Sequence, residues 1–100
     1  MILGVHSKQP SETYLIYVDF VRRLQVGETI STQSITSKIL PAGTDTTATM
    51  LQSPGISGTK LEVRLKAAGS DGEDHRVQFR ATTNLGSVLE DEVDLHIRED

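Results

Sequence analysis

The sequence predicts an all-β fold, an antiparallel β-sandwich of six to seven strands. Three observations predict it. Apolar and polar residues alternate with period two over the last three strand-like runs, turn signals recur every ten or so residues, and no segment has convincing helical length. Alternation of this kind places one face on a core and the other in water, which is the habit of antiparallel sheets. The core must rest on Val, Ile and Leu, because the 100 residues hold only four aromatic residues and no Trp. A chain of this length is one domain and buries roughly two-thirds of its unfolded surface.

Residues 1–11 carry little periodicity and are expected to form a flexible or docking N-terminal arm, with the sandwich domain over residues 12–98. From Glu12 to Leu24 a first strand is expected. Tyr14, Ile16, Val18 and Phe20 form one apolar face, while Leu15, Tyr17 and Val21 lie on the other. A helix competes through the spacing of Tyr14, Val18 and Val21, but the run is short and rich in β-formers. Gly27-Glu28 makes a compact polar turn into a second, Thr/Ser/Ile-rich strand over Thr29–Leu40, stopped by Pro41-Ala42-Gly43.

A short third strand is expected over Thr46–Leu51, closed by a turn at Ser53-Pro54-Gly55. Alternation then becomes clean. Leu61, Val63 and Leu65 face inward against Lys60, Glu62, Arg64 and Lys66. After the polar loop Gly69-Ser70-Asp71-Gly72, Val77, Phe79 and Ala81 face inward, and so do Leu89, Val93, Leu95 and Ile97 after Asn84-Leu85-Gly86-Ser87.

The inward residues of the last two strands are odd-numbered, so directly opposed residues must sum to an even number. This excludes a two-residue hairpin at Leu85-Gly86. A three-residue loop, Leu85-Gly86-Ser87, satisfies the parity and sets Phe79 opposite Val93 and Arg80 opposite Glu92. Asp91 then falls on the inward side, at the rim of the sandwich.

Composition removes several functions. With no Cys there is neither a disulfide nor a cysteine-held zinc site, and the lack of disulfides favours a reducing compartment. A net charge of −4 argues against nucleic-acid binding driven by counterion release. The apolar runs are too short to span a bilayer. Met1-Ile-Leu-Gly-Val-His lacks the charged start and apolar centre of a signal peptide, so synthesis and assembly in the cytoplasm are expected.

The densest group of ligand-type residues is Asp71-Gly72-Glu73-Asp74-His75. It lacks the alternating acids and distal Glu of a calcium loop, and reads as a solvated hairpin loop. His6, His75 and His96 are dispersed, without metal-ligand spacing, and are expected at the surface. The run Glu90-Asp91-Glu92 with Asp94 reads as a strand face guarded against edge-to-edge pairing. There is neither a Gly-rich phosphate loop nor a nucleophile-elbow Ser. No enzyme, cofactor, metal or small-molecule substrate is expected. The apolar outward side of the first strand, Leu15, Tyr17 and Val21, is the feature that calls for a covering partner, whether the arm, a turn or another chain.

The pattern Lys8-x-Pro10-x-Glu12, Tyr14-x-x-Tyr17-x-Asp19-Phe20, Arg23-Leu24 and Gly27-Glu28-Thr29-Ile30-Ser31 resembles short Ig-like phage and prophage structural proteins of the fiber–tail adaptor or neck type. The likeness continues in Ser57-Gly58-Thr59 and in Phe79-x-Ala81-Thr82-Thr83-x-x-Gly86-x-x-Leu89-Glu90, and covers most of residues 8–97. Such proteins often carry Trp at the position of Phe20 and near Ile35; this chain has neither. The resemblance implies an Ig-like/fibronectin-like sandwich and a non-enzymatic virion component that docks to other virion proteins and to copies of itself, with no nucleic acid or membrane partner. The expected contact elements are Lys8, Pro10 and Glu12 on the arm; Leu15, Tyr17 and Val21 on the first strand; the loop Pro41–Thr46; and Asp71, Glu73 and His75. The alternative is a bacterial Ig-like module that recognises a surface protein or a carbohydrate.

Overall fold

Alternation of buried and exposed residues sorts the chain into two sheets that face each other across one core. The structure, a computed structural model, describes residues 2–99. Seven strands stand among them: β1 (Ile2–Lys8), β2 (Leu15–Asp19), β3 (Ile30–Leu40), β4 (Leu51–Ser57), β5 (Lys60–Leu65), β6 (Asp74–Thr83) and β7 (Val88–Ile97). One sheet has the order β1-β7-β6-β3, the other β2-β5-β4. All pairs are antiparallel except β1 with β7, which run parallel. The fold is a β-sandwich, as the alternation predicts.

The core gathers Ile16, Val18 and Phe20 of the first strand region with Leu61, Val63 and Leu65 of β5. They pack against Ile35, Val77, Phe79, Ala81, Val93, Leu95 and Ile97 of the opposite sheet, and Met50 and Leu51 fill one side. Large aliphatic and aromatic side chains of this kind contribute about 1.5–3 kcal/mol each on full burial.

Within the expected arm, Ile2–Lys8 forms β1 along β7, with Val5 opposite Asp94 and Lys8 opposite Ile97. Four expectations are corrected. The first strand is shorter than Glu12–Leu24, because Val21–Arg23 turns as a 3-10 helix after Asp19, whose Oδ1 accepts the Val21 N–H. The third strand does not begin at Thr46. Asp45 Oδ1 accepts the Thr47 N–H at 2.8 Å and starts a one-turn helix, α1 (Thr47–Met50), which buries Met50. The Ser53-Pro54-Gly55 signal does not end a strand; it lies inside β4 as a register shift, with Ser53 at φ 54°.

The fourth correction is the last hairpin. The parity and the three-residue length hold, but the loop is Asn84-Leu85-Gly86, so Phe79 faces Asp91 and Arg80 faces Glu90. Gly86 is the reason. It takes φ 85°, the left-handed position that closes a three-residue hairpin, and only a loop ending at Gly86 puts a glycine there. Thr83 N–H then donates to Ser87 O and Gly86 N–H to Thr83 O. Asp91 is inward, as its parity requires, and buried.

Candidate functional site

The two sheets bring three separated segments to one end of the sandwich. β1 and β7 finish there, β6 begins there, and β3 ends opposite the start of β6, with Leu40 facing Asp74. The turn after β1, the loop after β3 and the loop before β6 therefore crowd together. Gly72 N–H donates to Ile97 O, Glu99 N–H to Asp71 Oδ1, and Arg98 N–H to Lys8 O.

Lys8 is the internal tie of this end. Its side chain is buried, and its ammonium donates to the carbonyls of Gln9, Pro10 and Ala68 at 3.0–3.2 Å. Burial pushes its pKa below the usual lysine value, with Glu12 opposing. Half-buried Pro10 and exposed Glu12 belong to the turn beside it, closed by the Gln9 N–H on Glu12 Oε1 at 2.7 Å.

His75 ties the other two loops, and the expectation of a surface histidine is corrected here. Its position in β6 has inward parity, and the ring is buried. Nδ1 shares a hydrogen bond with Thr46 Oγ1 at 3.1 Å, and Nε2 meets Glu73 Oε1 at 3.0 Å. Thr46 Oγ1 also meets Ser37 Oγ at 2.9 Å. A chain of polar groups thus runs Ser37–Thr46–His75–Glu73 from the core to the rim. The Ser70 N–H and the His75 ring hold the Glu73 carboxyl below its ordinary pKa. A hydroxyl, an imidazole and a carboxylate in sequence are the parts of a nucleophilic relay; in this fold their hydrogen bonds join the loops of Thr46 and Glu73 to β6. Asp71 stays exposed at the loop tip.

Leu15 and Tyr17 project from the outer face of β2, 47% and 56% exposed, while Ile16 and Val18 between them are buried. Lys60 Nζ lies 4.7 Å from the Tyr17 ring centroid. Val21 is equally exposed at 53%, but it sits on the 3-10 turn at the far end of β2. Of the nine expected contact residues, the fold therefore gathers Lys8, Pro10, Glu12, Asp71, Glu73 and His75 at one end. Leu15 and Tyr17 continue along the adjoining strand, and Val21 stands apart.

The far end carries features that the sequence reading missed. Arg23 Nη1 donates to Asp91 Oδ2 at 2.8 Å and Nη2 to Glu90 O at 3.0 Å, and the guanidinium lies over the Phe20 ring. Glu28, buried, accepts Thr83 Oγ1–H and the Gln25 N–H. The inward parity of Asp91 was the available signal, since a buried carboxylate requires a donor. These ties hold Val26 and Leu85 on neighbouring exposed turns, linked through Asn84 and Thr29. Among the described residues no helix is long and apolar enough to cross a membrane.

The chain is thus an all-β sandwich with Leu15 and Tyr17 exposed on β2 and three loops gathered at one end. The chain matches the family model Gp77, podophage GP4 fiber-tail adaptor protein gp77, over residues 8–96, and it belongs to that family. A comparison with curated proteins gives no match.

Proposed function

We propose that this chain is a non-enzymatic structural component of the virion that works by protein–protein docking, seated between tail and fiber components and in contact with copies of itself. Membership of the fiber-tail adaptor family supports the virion role. One observation carries the docking mechanism: β2 is apolar on both sides, and among the described residues only the Ile16/Val18 side is covered. Scattered apolar residues on a surface are ordinary, but two in register on one short strand beside a crowded loop end form a patch. The loop end, built from Pro10, Glu12, Asp71 and Glu73 on the Lys8 and His75 ties, completes the surface. Its parts are held by the sandwich, so little ordering entropy is lost on contact, and repeated copies add weak contacts into avidity.

Light scattering across a concentration series tests the self-contact, and capture of tail and fiber proteins from lysed infected cells tests the rest. Discrete assemblies or specific capture, both reduced by Tyr17→Ala, are expected. A monomer that captures neither tail nor fiber protein would remove this function.

A further inference from the structure

A sandwich has four edge strands, and each edge presents unpaired N–H and C=O groups unless something blocks it. Three of the four are blocked here. Along β3 the following loop folds back, so that Ile39 N–H donates to Thr44 O and Thr46 N–H to Ser37 O, and Lys38 pairs with Asp45. β4 is broken by its Ser53-Pro54-Gly55 irregularity, with a proline that offers no donor. β1 shifts register between Ile2 and Gly4. β2 has none of these devices: Leu-Ile-Tyr-Val-Asp contains no Pro, no Gly, no bulge and no Lys.

The direction of its backbone groups follows from its one partner. Leu65 N–H donates to Tyr14 O and Phe20 N–H to Thr59 O, and the register pairs Ile16 with Val63 and Val18 with Leu61. Even-numbered residues therefore exchange their hydrogen bonds with β5. In an antiparallel pair the alternate residues point away, so the N–H and C=O of Leu15, Tyr17 and Asp19 face the open edge. At that edge lies a groove of about 540 Å³ lined by His6, Tyr14, Leu15, Ile16 and Tyr17.

We propose that the open edge of β2 is a strand-addition site that takes an extended, proline-free segment of a partner virion protein as an eighth strand. This rests on the docking function above and names the kind of contact it makes. An edge row of alternating donors and acceptors is matched by an extended backbone and by nothing more compact. On the outer face the added strand's side chains would lie beside Leu15 and Tyr17, at the spacing of cross-strand pairs, so apolar or aromatic residues at alternate positions are selected. The residues between them turn into the groove beside His6 and Tyr14.

Amide hydrogen exchange at single-residue resolution, on the free chain and on purified phage particles that contain it, tests this. The free chain should exchange rapidly at Leu15, Tyr17 and Asp19, and assembly should slow these three amides at least tenfold. Tyr17→Pro removes one edge donor at a position that an edge strand tolerates, and Tyr17→Ala keeps it. Tyr17→Pro should be excluded from particles more strongly than Tyr17→Ala, with both chains folded by circular dichroism. Particles that contain the chain with these amides still exchanging freely would overturn strand addition and leave the virion role standing. Particles without the chain would overturn both. Protection already present in the free chain at high concentration, and lost in Tyr17→Pro, would make the pairing one between two copies and overturn the partner strand.

Discussion

Arg23 and Asp91, 68 positions apart in the chain, meet at 2.8 Å with the carboxylate buried and the guanidinium only partly so. The pair fastens the turn after β2 to the start of β7, across the gap between the sheets. Among the described residues Asp91 Oδ1 has no hydrogen-bond partner, and Arg23 is the cation paired with this buried carboxylate.

Removing Arg23 should therefore harm the fold more than removing both partners. Arg23→Met leaves an uncompensated carboxylate and is expected to cost about 1–3 kcal/mol, reduced from the fully buried case because Arg23 is partly solvated. Arg23→Met with Asp91→Leu should recover much of that loss. Urea unfolding of the two variants checks this; equal losses would show that the pair is not coupled.

The outward and inward sides of β2 should separate cleanly. Leu15→Ala and Tyr17→Ala are expected to change the stability of the isolated chain by no more than about 1 kcal/mol, part of it the Lys60 contact for Tyr17. Ile16→Ala should cost about 2–5 kcal/mol. A loss of several kcal/mol in Leu15→Ala would make that residue part of the core and end its assignment to an interface.

His75→Ala should loosen two loops at once. It leaves Thr46 and Glu73 without their shared partner, at a cost of about 1–3 kcal/mol. Faster amide exchange is expected both around Thr46 and around Ser70–Glu73. Change confined to one loop would contradict the tie.

Acid should weaken the fold in a defined window. Hydrogen bonds hold several carboxyls below their ordinary pKa: Asp19 by the Thr59 hydroxyl, Glu28 by the Thr83 hydroxyl, Asp45 by the Thr47 N–H, and Asp74 by His96. With the folded pKa below the unfolded one, the unfolded chain binds more protons as pH falls, so the stabilisation is complete above the unfolded values of about 3.9–4.3 and is lost below them. Urea midpoints should thus fall steeply between about pH 4.5 and the folded values, and Glu28→Gln should flatten part of that fall. An unchanged slope in Glu28→Gln would remove Glu28 from the set.

Alternation made β5, β6 and β7 legible from local sequence, because Val77, Phe79, Ala81, Val93, Leu95 and Ile97 each repeat with period two on one buried face. The two-sided apolar run 14–21 likewise announced a strand with more apolar surface than one core face uses. The segments 1–11 and 46–55 were not legible, since β1 owes its form to β7, ninety residues on, and α1 to an Asp45 turn that seats Met50. His75 looked like a loop residue because the sequence does not print which hydroxyl it meets.

By itself, then, the sequence determined the sandwich class, the inward residues and the even-sum parity of the last hairpin, all consequences of side chains alternating across a pleated strand. Tertiary structure alone decided which loops share an end, which edge stayed open, and which charges are paired. Those depend on strand order and on contacts between residues distant in the chain, where period-two patterning carries no information. The single-residue shift of the hairpin stands between the two. The apolar face allowed either odd loop, and the positive φ of Gly86 selected one.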